Sequence, residues 1–357
     1  MQNSVQEIVR KVEDAPLGDL VRVSVEDVQV QMDRYLEPDV DSSSLYRRWE
    51  KQQWAVADLD FSRDQQQWST LDEGQRDTVR RTMILFFIGE QAVTDTLSPI
   101  LHAAPHEDER IFLATQIADE ARHTVFFQRF FDEVLDVHGG LRDALAVVGP
   151  EATRGFRRIF ETDLIDAIEA VRREPGDIRS WVEAVVTYHL IIEGYLALTG
   201  QRGLLRFFRA IGLMPGFTTG FTAVARDESR HIGFGVLALR RRVREDPELA
   251  RVITLKVLEL AEPTVLTVVD PETRLRVPHP AETAPEMRQD PTEFRAFAIE
   301  SLAKRLRSVG VSDAAIADIR SRYSGLYDRL WSQYEENHGV DHPVRWYQQQ
   351  RSAAAAS

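Results

Sequence analysis

The sequence predicts an all-α protein. Long stretches keep apolar residues at helical spacing, and glycine or proline punctuates them at intervals that suit helices. No segment of the central region sustains the every-other-residue alternation of a half-buried strand.

The elements follow in order. Residues 1–69 read as an arm packing on the bundle, with an aromatic, polar stretch from Trp49 to Trp68 that suits a place across a bundle end. The bundle itself spans 70–245. Thr70 and Glu73 have capping-box spacing, so a helix starts near Asp72 and runs through RDTVRRTMILFFIGEQAVTDTLSPIL. Further helices are predicted over Glu107–His138, Leu141–Arg173 with a break at Gly149–Pro150, Ile178–Thr199 closed by Gly200, Gln201–Ile211, and Phe217–Arg244. Residues 246–347 belong to the same domain. Val265–Val269 reads as a short strand or loop, and the proline-rich stretch 262–292 as an extended connection. Two helices follow, over 292–308 and 312–337, and 348–357 is a low-complexity tail expected to be disordered.

Composition narrows the function. The chain has 357 residues, enough for a generous helical core, and a net charge of −13, which argues against a nucleic-acid partner. With no cysteine, disulfides, zinc–thiolate sites and thiol catalysis are excluded. The N-terminus MQNSVQEIVRKVEDA lacks a signal-peptide core, and no run of about 20 continuous apolar residues reads as a membrane span. A cytoplasmic protein is the expectation.

The chemistry sits in a duplicated pattern. DEARH at 119–123 and DESRH at 227–231 each set Glu and His three apart, one helical turn, so that both side chains reach one cation. A lone ExxH is weak, and a third, Glu335–His338, is read as chance. The first two gain weight from Glu90 in ILFFIGEQAV, 30 residues before Glu120, and Glu193 in HLIIEGYLAL, 35 before Glu228. Glutamates in such apolar sequence are costly unless paired. One Glu from each of two helices and Glu-x-x-His from each of two others is the ligand set of a two-metal helical bundle. The candidate ligands are therefore Glu90, Glu120, His123, Glu193, Glu228 and His231. Four carboxylates balance two divalent ions, and oxygen-rich sites with one imidazole per metal suit iron or manganese. The plain alternative is two surface ExxH pairs and two satisfied buried glutamates. Asp119 and Asp227 are either acceptors for the imidazoles or solvent-facing acids. His189, one turn before Glu193, reads as a core or supporting histidine in preference to a further ligand.

These motifs resemble the ribonucleotide reductase small-subunit superfamily, of ferritin-like fold, and are most similar to the R2-like ligand-binding oxidases. The resemblance runs from about Trp54 to Arg240 and includes WAVADLDFSRD. Glu90 stands where reductase subunits commonly have Asp, and Phe127 where they place a radical-forming Tyr; the tail WYQQQRSAAAAS, with Tyr347, lacks an obvious docking motif. The resemblance implies a manganese–iron pair, with Glu90, Glu120 and His123 on manganese, Glu193, Glu228 and His231 on iron, and carboxylates bridging; the ligand types suit Fe/Fe equally. It implies an ether cross-link between Tyr188 and the β-carbon of Val93, although Tyr188 lies five residues before Glu193, a poor same-face spacing. It also implies an O2-activating oxidase that holds a long-chain fatty acid at its metals, and a homodimer. Phe86, Phe87, Phe126, Phe127, Phe130 and Phe131 would suit such a ligand, though most read as ordinary core. Two other functions stay open: a radical-generating reductase subunit, with Trp54 and Asp227 on a radical path, and a ferritin-like metal store.

Overall fold

A computed structural model describes residues 2–38, 40–94, 96–139, 152–273, 280–282, 285, 288–339 and 343–356; for 2–4, 78, 81, 82, 85, 90–94, 282, 343, 355 and 356 only the backbone is described. Every regular element among the described residues is helical. The arm folds as α1 (Gln2–Glu13), α2 (Val25–Arg34), α3 (Ser42–Lys51) and α4 (Ser62–Thr70). Ser24 and Asp41 cap α2 and α3, each bonding to the third residue of its helix and receiving a bond back.

Next come α5 (Glu73–Thr94), α6 (Leu97–Ala103) and α7 (Glu107–Phe130). The capping box of α5 is displaced from the expected Thr70–Glu73. Asp72 Oδ1 accepts from Gln75 N at 2.8 Å and Gln75 Oε1 from Asp72 N at 3.0 Å, while Thr70 still ends α4. The predicted stretch 141–151 lies outside the described residues. After it, α8 (Arg154–Arg158) continues through a π turn, Ile159–Asp163, into Leu164–Arg173.

The fourth and fifth predicted helices are one helix, α9 (Ile178–Ile211). Gly200 does not end it. A Cβ there would lie 2.6 Å from the Phe86 ring, so glycine is needed for helix approach rather than for a stop. Within α9, Val186–Ala197 is wound as a π-helix. Although α9 is long and apolar enough to cross a membrane, 78% of its apolar window is buried inside the protein. The free N-terminal amides of the next helix, α10 (Pro215–Glu245), are met by Asp64, which accepts from Gly216 N and Phe217 N at 2.9 and 2.8 Å.

Then follow α11 (Leu249–Glu259), α12 (Ala261–Val268), α13 (Pro291–Val309), α14 (Asp313–His338) and α15 (Pro343–Ala356). The Val265–Val269 run is thus mostly helical. Its β-branched residues are overruled by packing on α8, where Gly155 lets the backbone of Thr267 approach. Helix α15 covers most of the tail expected to be disordered, with proline in its first turn and an alanine run that favours helix.

Helix α10 packs on α7, on the π segment of α9 and on α2, α3 and α4, and α5 packs on α7. The arm therefore packs along α10, with Asp64 at its N-terminal end and Trp54 on Asp227 farther along it. Two apolar clusters result. One gathers Phe112 and Leu113 of α7, Phe234 to Leu239 of α10, and the C-terminal helices. The other gathers Phe126 to Phe131, Phe217 to Ala225 and the arm. Between them, α7 and α10 bury an uninterrupted polar band, including Gln116, Asp119, Glu120, His123 and Arg226 to His231.

Candidate metal centre

Burial this complete makes each charge depend on its neighbours. Glu120, Glu193 and Glu228 are at most 4% exposed, and His123 and His231 are fully buried. Potential ligand atoms of Glu120, His123 and Glu228 lie within 4.8 Å of one another, as do those of Glu120, Glu193 and His231. Five of the six predicted ligands thus converge. The Glu90 side chain, like that of Val93, lies outside the described residues, though both belong to α5. Glu120 and Glu228 stand between the histidines. His123 Nδ1 is 3.5 Å from Glu120 Oε2 and 3.4 Å from Glu228 Oε1. His231 Nδ1 is 3.2, 3.6 and 3.5 Å from oxygens of Glu120, Glu193 and Glu228.

Both rings turn Nδ1 inward and Nε2 outward. His123 Nε2 lies 3.3 Å from Asp227 Oδ2, and His231 Nε2 lies 3.1 Å from Asp119 Oδ2. The aspartates are therefore buried acceptors, each serving the histidine of the other motif. Arg230 Nη2 donates to Asp119 Oδ2 and Asp227 Oδ1 at 2.9 and 2.7 Å. Arg122 Nη2 donates to Asp227 Oδ2 at 2.8 Å and also to Asp119 Oδ1. Indole nitrogens complete the shell: Trp49 donates to Asp119 at 3.0 Å and Trp54 to Asp227 at 2.9 Å.

Sequence reasoning missed the two arginines. The signal was present, since both motifs read D-E-x-R-H. It also missed Gln116, whose Nε2 donates to Glu193 Oε1 at 2.8 Å while its Oε1 faces His189 Nε2 at 3.1 Å. His189 is thus a supporting histidine. The Tyr188 hydroxyl donates to Glu120 Oε1 at 3.0 Å. The π winding resolves its awkward spacing: an i→i+5 turn brings residues five apart onto nearly one side, so Tyr188 and Glu193 both reach the cluster. Glu335 and His338 stay apart from it, bound to Arg345 and to the Pro271 carbonyl. The six phenylalanines named above pack chiefly on one another and on Phe61, Phe217 and Phe221.

The electrostatics are those of a site with too many carboxylates for its protons. Burial and the charge of Glu228 push Glu193 well above the ordinary carboxylate range. Burial opposes ionisation of Glu120 too, but hydrogen bonds and charge from His123 and His231 outweigh it and hold that carboxyl well below its usual value. Burial would lower His231, yet Glu228 and bonds to Asp119 and Glu120 raise it well above its usual value. Among the described residues Glu193 Oε2 and Glu228 Oε2 have no hydrogen-bond partner, and Glu228 Oε2 lies 3.5 Å from His231 Nδ1. Divalent cations fit this donor set, displacing the protons that Glu193 and His231 otherwise retain and satisfying those oxygens.

A helical bundle with a buried carboxylate–histidine cluster between two Glu-x-x-His helices defines a class, the dimetal carboxylate proteins. Residues 38–262 match the family described as ribonucleotide reductase, small chain. The chain belongs to that family. Its fold is similar to solved variants of an R2-like ligand-binding oxidase, each with an anaerobically reconstituted Mn/Fe cofactor. A valine-to-isoleucine variant has 22% identity and a TM-score of 0.58, covering 82% of this chain and 94% of that one. A glycine-to-phenylalanine variant has 23% identity and a TM-score of 0.63, covering 77% and 95%.

Proposed function

We propose that the chain is a dioxygen-activating dimetal oxidase whose ligands are Glu90, Glu120, His123, Glu193, Glu228 and His231. One observation carries this reading: two buried imidazoles turn Nδ1 toward shared carboxylates while aspartates hold their outer nitrogens. A manganese–iron pair is the preferred occupant, supported by the cofactor of the similar oxidases, with Fe/Fe as the alternative. Bound there, the metals supply the electrons and Lewis acidity for work on dioxygen.

The chain's own residues do the rest. The apolar clusters on either side exclude water. The Tyr188 hydroxyl donates to Glu120, placing Oη at the metal face of α9. The substrate is a bound hydrophobic molecule, a long-chain fatty acid by family likeness. A cleft of about 220 Å³ lined by Phe87, Gln128, Phe131, Asp132 and Val137 supports it, because Phe87 lies one turn from Glu90 on α5. An ether between Tyr188 Oη and Val93 Cβ accompanies the chemistry. It costs one O–H and one C–H bond, with dioxygen taking the two electrons. A cytoplasmic homodimer completes the proposal.

The experiment is aerobic reconstitution of the metal-free protein, followed by metal counting, intact mass and peptide mapping. Two metals per chain and a loss of two hydrogens on peptides carrying Val93 and Tyr188 are expected. An unlinked chain with a stable tyrosyl radical would count against the oxidase.

A second reading, a radical-generating reductase subunit, draws support from the hydrogen-bonded line Trp54–Asp227–His123. Phe127, buried four residues after His123, speaks against it. Turnover on adding a reductase large subunit, abolished in Trp54→Phe, would favour it.

A further inference from the structure

Each D-E-x-R-H motif serves the other half of the cluster. Asp119, beside Glu120 in sequence, holds His231; Asp227, beside Glu228, holds His123. The arginines close a loop, since Arg122 and Arg230 each donate to both aspartates. Two acids and two guanidinium groups make a ring of zero net charge where α7 and α10 meet. Arg230 is fully buried, and both aspartates are at most 1% exposed. No member can turn without unpairing another, and an unpaired buried charge is costly.

We infer that the Asp119–Arg122–Asp227–Arg230 ring couples the two cation positions, so that filling one orders the histidine of the other. This rests on the dimetal reading above. A cation on His123 fixes the ring orientation of that imidazole, which fixes Asp227. Asp227 is tied through both arginines to Asp119, and Asp119 sets His231. The four ring residues are positioning residues: none is a proposed ligand, and each acts through an imidazole. The two positions therefore fill with positive cooperativity, and damage to one motif appears in the opposite position.

The probe is Mn2+ alone, offered without oxygen to the full-length metal-free protein. Equilibrium dialysis counts bound ions, and electron paramagnetic resonance separates isolated ions from adjacent pairs. The wild type is expected to take two per chain, the second about tenfold more tightly, so that pairs dominate even at low occupancy. Asp119→Asn keeps the shape but leaves one acceptor oxygen where the wild type has two, Oδ2 for His231 and Arg230 and Oδ1 for Trp49 and Arg122. It is expected to weaken the His231 position about tenfold, located by anomalous diffraction, and Asp227→Asn the His123 position. Arg230→Met is expected to retain two ions that fill as isolated ones, and Arg230→Lys to recover part of the pairing. Thermal melting of the metal-free variants confirms that they fold. The coupling is overturned if each Asp variant weakens the position of its own motif, or if Arg230→Met fills in pairs as the wild type does. A wild-type chain that binds fewer than two Mn2+ would remove the dimetal reading itself.

Discussion

Gln116 stands one turn before Glu120 and uses both ends of its amide inside the site, donating to Glu193 and facing His189. Replacing it by leucine removes the donor to a buried carboxylate and leaves His189 Nε2 without a partner. Gln116→Leu is expected to cost about 1–3 kcal/mol, the usual penalty for orphaned buried polar groups, read from urea unfolding of the metal-free protein. His189 makes a pH-dependent contribution. Burial, aided by the nearby charge of His231, lowers its pKa from 6.5 to about 3. Between those values the unfolded chain binds a proton that the folded chain refuses. Stability from this residue is thus complete above about pH 6.5 and is lost as pH falls toward 3. In His189→Gln the loss of stability between pH 7 and pH 5 is expected to be smaller than in the wild type, as measured by urea midpoints. At this scale the sequence was generous with acids and imidazoles, because Glu in an apolar run is conspicuous. It was reticent about Gln116, because nothing local distinguishes one buried amide from another.

Among the elements, the site depends on how closely α10 approaches the π segment of α9. Gly235 allows it: a Cβ there would lie 2.3 Å from the Cβ of His189. That contact is with the root of a buried side chain and cannot be relieved by a rotamer change. Gly235→Ala is expected to part the helices that carry Glu193, Glu228 and His231. It should cost about 1–3 kcal/mol in thermal stability and reduce Mn2+ binding in the same sample. Helix identity and most boundaries were legible in the 3.6-residue periodicity. Gly200 misled because glycine ends helices and also permits close helix contact, and only the neighbouring Phe86 decides between the two. The π winding left no local trace beyond the odd spacing of Tyr188 and Glu193.

At the level of the whole molecule, the arm is part of the site. Trp49 and Trp54 end on the two aspartates, and Gln52 Oε1 accepts from Arg230. Asp64 caps the helix that bears Glu228 and His231. Cation binding is therefore expected to stabilise the entire fold, since buried carboxylates that repel one another in the metal-free state are compensated together. Mn2+ at about a hundred times its dissociation constant contributes about 2.7 kcal/mol for a single site. A rise in melting temperature on adding Mn2+ under nitrogen is expected in the wild type and not in Glu120→Ala, whose carboxylate is shared by both halves.

By itself the sequence determined the all-α class, the duplicated Glu-x-x-His pattern and the residues that converge, because helical periodicity and the cost of burying charge are properties of short stretches. Tertiary structure decided what depends on distance between helices. It decided that each aspartate serves the opposite motif, that Arg122 and Arg230 join the two, that Glu120 and Glu228 stand between the histidines, and that the arm lies along the site. Those contacts join residues up to 178 positions apart. Which buried acid meets which buried base at such separations is set by how the helices cross, and no local pattern encodes it.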